Sequence, residues 1–123
     1  MPVKVIDASA LAAVLFNDPD SDKVIADIAR GTLVAPQRIT YEIASVCLKK
    51  IRAHPGRRDM FLAAFQLIDR LDVDLVSVDL GDVVALAADT GLTVYDACYL
   101  WLARFLKTEL LTLDKKLAAA MAR

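Results

Sequence analysis

Residues 110–117, LLTLDKKL, join a short apolar run to a lysine-rich run through Asp114. The apolar letters predict a buried strand. An aspartate directly after a strand favours the start of a helix, because its carboxylate can accept the free amide hydrogens of the first turn. The same aspartate can also be a carboxylate placed at the edge of a sheet for chemistry. This stretch alone leaves both interpretations open.

The succession of strand and helix recurs along the whole chain. Short apolar runs predict strands at 3–6, 32–36, 73–78 and 109–113. Helical patterns follow at 9–16, from 21 or 22 to about 31, at 40–52, 57–71, 79–91 and 96–107, and from 114 onward. Continuous apolar strands alternating with helices are typical of a parallel sheet covered on both faces. The pattern therefore predicts one domain over 1–123, a three-layer α/β/α fold around a short parallel central sheet.

Composition narrows the class of protein. The 123 residues carry a net charge of -1, so overall charge gives no argument for nucleic-acid binding. With Cys47, Cys98 and a single histidine, we expect no zinc site of cysteines and histidines, and we expect reduced thiols in a cytoplasmic protein. Lys4 and Asp7 interrupt the apolar start, which fits neither a signal peptide nor a membrane span.

Four acidic residues occur where a strand is predicted to end or a helix to begin. They are Asp7, Glu42, Asp96 and Asp114. Ligands of parallel sheets bind at the carboxyl ends of the strands, so we expect these four side chains to converge on one edge. Each also has a structural explanation: Asp96 and Asp114 are good N-caps, and the helix dipole favours Glu42. Asp7 is harder to explain as a cap, because Ser9 can cap the first helix.

Clustered carboxylates repel and raise one another's pKa, and a divalent cation removes that penalty. Oxygen ligands without cysteine or histidine indicate magnesium or manganese. Such ions activate water and clamp phosphoryl oxygens, so phosphodiester hydrolysis is the chemistry expected. Thr112, two residues before Asp114, would share its face on a strand and could hydrogen-bond a carboxylate. Ser9 could do the same, although capping is the simpler prediction.

Four segments resemble, in order and spacing, the signature segments of PIN-domain ribonucleases, and more narrowly of VapC toxins. The segments are VIDASAL at 5–11, TYEIASVCLKK at 40–50, TVYDACYLWLA at 93–103 and LLTLDKKL at 110–117. The resemblance implies a magnesium- or manganese-dependent endoribonuclease that cuts structured RNA such as transfer or ribosomal RNA. It maps the metal ligands onto the four acids and the accessory hydroxyl onto Thr112. It also implies a homodimer inhibited by a VapB-type antitoxin.

The chain departs from the family pattern at two places. Trp101 stands where a small residue is commoner, and FLKTEL, at 105–110, lacks the glycine that often ends this helix. Neither departure touches the four acids.

Other residues are candidates for RNA or partner contacts. The segment 49–58 carries five basic residues and no acid; they are Lys49, Lys50, Arg52, Arg57 and Arg58. They could contact an RNA backbone, or they form an ordinary solvated helix end. Tyr95, Tyr99 and Trp101 could stack on bases or pack in the core. The first helix is almost wholly apolar, so we predict that a partner covers it around Leu11 and Leu15, unless it is internal to the monomer.

Two alternative functions stay open at this point. A phosphorylation-controlled receiver domain has a similar size and sheet, but it would need an acidic pair after the first strand and a lysine after the last. An inactive PIN-like binding module would be indicated by the loss of an acid, and all four are present.

Overall fold

The computed structural model describes residues 3–28 and 31–123. The strands are β1 (Val3–Ile6), β2 (Thr32–Pro36), β3 (Val73–Val76) and β4 (Leu110–Leu111). The α-helices are α1 (Ala8–Leu15), α2 (Ser21–Ile28), α3 (Ile39–Ala53), α4 (Arg58–Gln66), α5 (Leu80–Thr90), α6 (Val94–Leu106) and α7 (Lys115–Met121). Short 3-10 turns at Pro55–Arg57 and Leu67–Arg70 flank α4. Each of the first three strands is followed by two α-helices, as predicted.

The four strands form one parallel sheet in the order β3-β2-β1-β4. Within β1, Val5 pairs with Leu110 on one side and with Val34 on the other. Successive residues of a strand point to opposite faces, and Val5 and Ile6 are both fully buried. Both faces of the central strand are therefore covered, which confirms the three-layer α/β/α architecture around a short parallel sheet.

Helix ends follow the predicted capping residues in three cases. The carboxylate of Asp79 accepts the amide hydrogen of Asp82 at the start of α5, and that of Asp114 accepts from Leu117 at the start of α7. Gly91 ends α5 with φ at 75°, in the left-handed region that favours glycine. These ends depend on local hydrogen bonds, which is why the sequence predicts them.

Two predicted caps are wrong. Asp7, and not Ser9, caps α1: its Oδ1 accepts from the amide of Ala10 at 3.0 Å, and Ser9 lies inside the helix. Thr93, and not Asp96, caps α6. The Asp96 carboxylate lies in the first turn of this helix and does not cap it. In both pairs two neighbouring residues could cap a helix, and the path of the preceding chain selects one.

Three elements are shorter than predicted, and one predicted boundary falls in part outside the described residues. The strand expected over 73–78 ends at Val76. The helix expected over 57–71 is an α-helix only over Arg58–Gln66, with 3-10 turns at both ends. The strand expected over 109–113 pairs only at Leu110–Leu111. The predicted end of the second helix near Gly31 falls in part outside the described residues, since the description of α2 stops at Ile28.

The first helix lies inside the monomer. Leu11 is 3% exposed and Leu15 is 9% exposed, and both belong to the main hydrophobic core. The prediction that a partner covers these leucines is therefore wrong, and the alternative of an internal helix is what the structure has. Apart from Ser9 the helix is apolar, and it packs against α2 and α3.

Other apolar side chains do reach the surface. Phe105 is 67% exposed and stacks on the half-buried Trp101, with ring centroids 4.9 Å apart. Both cysteines are buried and free, as the prediction of reduced thiols requires. In the described part of the chain no single helix is long and apolar enough to cross a membrane; α5 and α6 would suffice only together, and they are bent by 107° at their break.

Candidate active site

The sheet order creates a switch point between β1 and β4. The chain moves outward from β1 through β2 to β3, and it returns to the other side of β1 only with β4. In open parallel sheets the crevice outside the carboxyl ends at such a point is where ligands bind. Asp7 directly follows β1, and its amide donates to the Leu111 carbonyl at 3.0 Å. The first predicted acid therefore lies at the switch point.

Asp7 is a buried carboxylate, only 4% exposed. Its Oδ1 accepts from the Ser9 hydroxyl at 2.7 Å in addition to the Ala10 amide, and its Oδ2 accepts from the Thr112 hydroxyl. Burial raises the pKa of Asp7 above its usual value, these hydrogen bonds oppose the rise, and the negative charge of Asp114 adds to it. The predicted hydrogen bond from Thr112 to a carboxylate is present.

Asp114 is electrostatically coupled to two of the other acids. Besides its effect on Asp7, its charge raises the pKa of Asp96, although burial of Asp96 is the larger cause. The loop before α7 is tied to the same place, because the Thr112 hydroxyl accepts from the Asp114 amide and the Ser9 hydroxyl accepts from the Leu113 amide, both at 3.0 Å. The three aspartates therefore share one electrostatic environment.

Glu42 faces the same edge but has charged and polar partners of its own. Its Oε1 accepts from Nε of Arg38 at 2.7 Å and from the hydroxyl of Tyr99 at 2.9 Å. Burial and then the charge of Glu42 raise the pKa of Tyr99, and Asp7 adds to the effect. The hydroxyl of Tyr99 is thus hydrogen-bonded to Glu42 and lies within the electrostatic influence of Asp7, while Arg38 balances the charge of Glu42.

The donor atoms fit magnesium or manganese, although the ligands are not preassembled. In residues 3–28 and 31–123 no three Asp, Glu, His or Cys side chains lie close enough to hold an ion by themselves. Neighbouring carboxylates disfavour one another's charged form, and a bound cation removes that penalty. Magnesium keeps several waters and needs only one or two direct carboxylates, so oxygen donors around a shared space are suitable. The assignment of all four acids as ligands stays a prediction.

The five basic residues of 49–58 lie near the end of α3, in the 3-10 turn that follows and at the start of α4. Glu42 and Arg52 are ten residues apart on α3, which corresponds to about 15 Å. Lys50 forms an ion pair with Asp18 at 2.8 Å, whereas Lys49, Arg52, Arg57 and Arg58 are exposed. Arg57 lies over the ring of Phe61, 5.1 Å from its centroid. Lys50 is thus the member of this group that is least available to an RNA backbone.

A family model for the PIN domain matches residues 4–122 of the chain. The chain belongs to the PIN-domain family. This PIN domain is 34% identical over 119 residues to Ribonuclease VapC3 of Pyrobaculum aerophilum, in an alignment that covers 93% of this chain and 91% of that protein. It also superposes on the crystal structure of PAE2754 from Pyrobaculum aerophilum with a TM-score of 0.77, at 27% identity, over 97% of this chain and 86% of that one.

These similarities confirm the resemblance to VapC-type ribonucleases, and they make this PIN domain a VapC-like nuclease. The receiver-domain alternative is wrong, since the PIN match spans nearly the whole chain. An inactive PIN-like module would have the same family match, and it would differ from a ribonuclease only in lacking RNA cleavage.

The sequence did not point to Arg38, and it left Tyr99 among several aromatic candidates. Tyr99 is 1% exposed, so it cannot stack on a base, and its hydroxyl instead holds Glu42. A signal for Arg38 did exist: Arg38 and Glu42 are spaced i and i+4, the spacing at which opposite charges meet on a helix. No local pattern joins Tyr99 to Glu42, because 57 positions separate them.

Proposed function

We propose that this PIN domain is the toxin of a toxin–antitoxin pair, a metal-dependent endoribonuclease that hydrolyses phosphodiester bonds in structured RNA such as transfer or ribosomal RNA. The observation that carries the proposal is the setting of Asp7 at the switch point of the sheet. An N-cap needs only one carboxylate oxygen as acceptor, whereas both oxygens of Asp7 accept hydrogen bonds and the residue is 4% exposed. Such a costly position is typical of a functional carboxylate.

Asp7, Asp96 and Asp114 would hold the ion, together with Glu42 as the fourth predicted ligand. Magnesium or manganese, when bound, polarises a phosphoryl oxygen and lowers the pKa of water. The chain's own contribution is orientation. Ser9 and Thr112 fix both oxygens of Asp7, and Tyr99 holds Glu42 toward the aspartates. Side chains locked in this way lower the cost of organising the site when substrate binds.

RNA would be held partly by the exposed basic residues of the segment 49–58, which runs from the end of α3 to the start of α4. Lys49, Arg52, Arg57 and Arg58 carry no carboxylate partner in the described part of the chain. Contacts from such residues to phosphates give salt-dependent affinity without sequence preference. Lys50 would contribute only by exchanging its ion pair with Asp18.

Two partners are part of the proposal. A VapB-type antitoxin would cover the active site, and a second copy of the chain would form a homodimer. Exposed apolar side chains such as Val84 and Leu48, 56% and 46% exposed, are available for such contacts. We expect the pair to act in the cytoplasm, where its RNA substrates are. Light scattering of the purified protein, alone and with the product of a small neighbouring gene, tests both associations.

The catalytic proposal is tested by replacing two of the proposed ligands. Asp7→Asn and Asp96→Asn should each reduce cleavage of purified transfer and ribosomal RNA below detection while the circular dichroism spectrum is kept. Asp89→Asn, on an exposed position of α5, makes the same change of charge and should cleave like the wild type. Cleavage should need magnesium or manganese and stop with a chelator.

Full cleavage by both variants would exclude the assigned site. Folded wild-type protein that cleaves none of these RNAs with either metal would favour the inactive binding module instead.

A further inference from the structure

A cavity of about 520 Å³ opens beside the proposed active site, between the ends of β2 and β3 and the first turn of α6. Its lining includes Gln37, Arg38, Ser77, Leu80, Val94 and Tyr95. The volume lies in the range of about 300–1,000 Å³ that small-ligand sites occupy. Arg38 is hydrogen-bonded to Glu42, and Tyr95 directly precedes Asp96, so two lining residues are neighbours of proposed metal ligands.

The walls of this cavity combine a flat stacking surface with exposed apolar groups. The guanidinium of Arg38 lies 3.7 Å from the centroid of the Tyr95 ring. Tyr95 is 56% exposed and Leu80 is 61% exposed, which is costly for side chains that could be packed or polar. Because they lie beside the proposed active site, an apolar planar group of a substrate could cover them.

Polar groups complete the rim. Gln37 follows β2 and Ser77 follows β3, and the pairing of these strands continues in the hydrogen bond from the Gln37 amide to the Val76 carbonyl at 3.1 Å. An amide and a hydroxyl can read the hydrogen-bonding edge of a base. Proteins that bind single-stranded RNA stack its bases on aromatic rings and arginine planes and read their edges in this way.

We infer that this cavity binds the unstacked nucleobase beside the phosphate that is cleaved, with Arg38 and Tyr95 as the stacking surface and Gln37 and Ser77 as the readers of its edge. The inference rests on the proposed ribonuclease function and deepens it. It assigns the base preference of cleavage to this cavity. The basic segment 49–58 then makes phosphate contacts without sequence preference. Arg38, Tyr95, Gln37 and Ser77 are then base-binding residues that determine specificity.

Binding is tested without cleavage by titrating the four nucleoside 5′-monophosphates, and ribose 5-phosphate as the probe without a base, into protein with labelled methyl groups. The methyl resonances of Leu80 and Val94 should shift with the nucleotides and not with ribose 5-phosphate. Tyr95→Leu should weaken nucleotide binding by about tenfold or more, the usual effect of losing one stacked base. Phe105→Leu, at an exposed aromatic about 15 Å further along α6, is the matched control and should bind like the wild type.

Base preference is tested with a pool of short single-stranded RNAs of random sequence. Tyr95→Leu should flatten the preference at one position beside the cut, and Gln37→Ala should change which base is preferred there, while Phe105→Leu keeps the wild-type pattern. The inference would be overturned if ribose 5-phosphate shifted the methyl resonances as much as the nucleotides do. It would also be overturned if Tyr95→Leu bound nucleotides like the wild type. A Tyr95→Leu variant that keeps nucleotide binding and loses only inhibition by the antitoxin would overturn it as well, because the cavity would then belong to the protein partner.

The two proposals fail separately. Absence of RNA cleavage with either metal removes the ribonuclease function, while the nucleotide titration still decides whether the cavity takes a base.

Discussion

The hydroxyl of Thr112, just after β4, donates a hydrogen bond to Oδ2 of Asp7, just after β1. The two residues are 105 positions apart in the sequence and become neighbours because β1 and β4 pair in the sheet. The Ser9 hydroxyl holds the other oxygen of Asp7 and lies 3.4 Å from that of Thr112. The two hydroxyls therefore orient the buried carboxylate from both sides of the switch point.

Replacing Thr112 tests this arrangement. Burial raises the pKa of Asp7 and the Thr112 hydrogen bond lowers it, so Thr112→Val should raise the pKa further. The acid side of the profile of cleavage rate against pH should then move to higher pH. We also expect a loss of about 1–2 kcal/mol in the free energy of unfolding, measured with urea, since a buried acceptor loses a donor. Thr112→Ser keeps the hydroxyl and serves as the control; identical profiles for the two variants would contradict the role assigned to Thr112.

Stability should depend on pH through Asp7 and Asp96 when no metal is bound. Burial raises the pKa of both above the usual 3.8. The folded state then binds more protons than the unfolded state between 3.8 and the raised pKa, so stability falls as the pH increases through that window. Asp96→Asn should therefore raise the melting temperature at pH 7 in chelator, by an amount that shrinks toward pH 3.8. Asp89→Asn is the charge-matched control. A lower melting temperature for Asp96→Asn at pH 7 would show that its carboxylate stabilises the fold.

Metal should stabilise the wild-type protein. A ligand that binds only the folded state adds about 2.7 kcal/mol at a hundred times its dissociation constant. Magnesium or manganese at millimolar concentration should therefore raise the melting temperature, a chelator should reverse the gain, and Asp96→Asn should reduce it. Zinc should not be required. An unchanged melting temperature together with cleavage that resists chelation would exclude a metal-dependent site.

The burial of Leu11 predicts a large effect on stability. Leu11→Ala should lower the free energy of unfolding by roughly 2–5 kcal/mol, because it leaves a cavity in the core. Leu67→Ala, at a position 45% exposed, should cost about 1 kcal/mol or less. Denaturant titration measures both. Equal small losses would return Leu11 to the set of partner-contact candidates.

The end of α6 offers a stabilising substitution. Lys107 ends this helix in the left-handed conformation, with φ at 54°, where the family pattern often has glycine. Lys107→Gly should raise the free energy of unfolding by about 0.5–1 kcal/mol, because a side chain is strained there. Ala88→Gly, in the interior of α5, should lower it by about 1 kcal/mol. Thermal melts of the two variants should therefore shift in opposite directions; a loss for Lys107→Gly would show that its side chain offsets the strain.

Most of the secondary structure could be read from the sequence, since it depends on near neighbours. The apolar runs predicted the positions of the four strands along the chain, and Asp79, Gly91 and Asp114 predicted three helix ends correctly. Where two candidates stood close together, as with Asp7 and Ser9, the choice went wrong. Both side chains can accept the amide hydrogens of a first helical turn. The tertiary fold decides which of the two residues lies at the N-cap position.

The sequence by itself determined the family and the acidic candidates, because residue types in a fixed order are what a motif consists of. It did not determine which side chains meet. The hydrogen bonds between Thr112 and Asp7 and between Tyr99 and Glu42, and the burial of Leu11, depend on strand order and helix packing. Those contacts join distant segments whose pairing is selected by the free energy of the whole core, so only the tertiary structure could decide them.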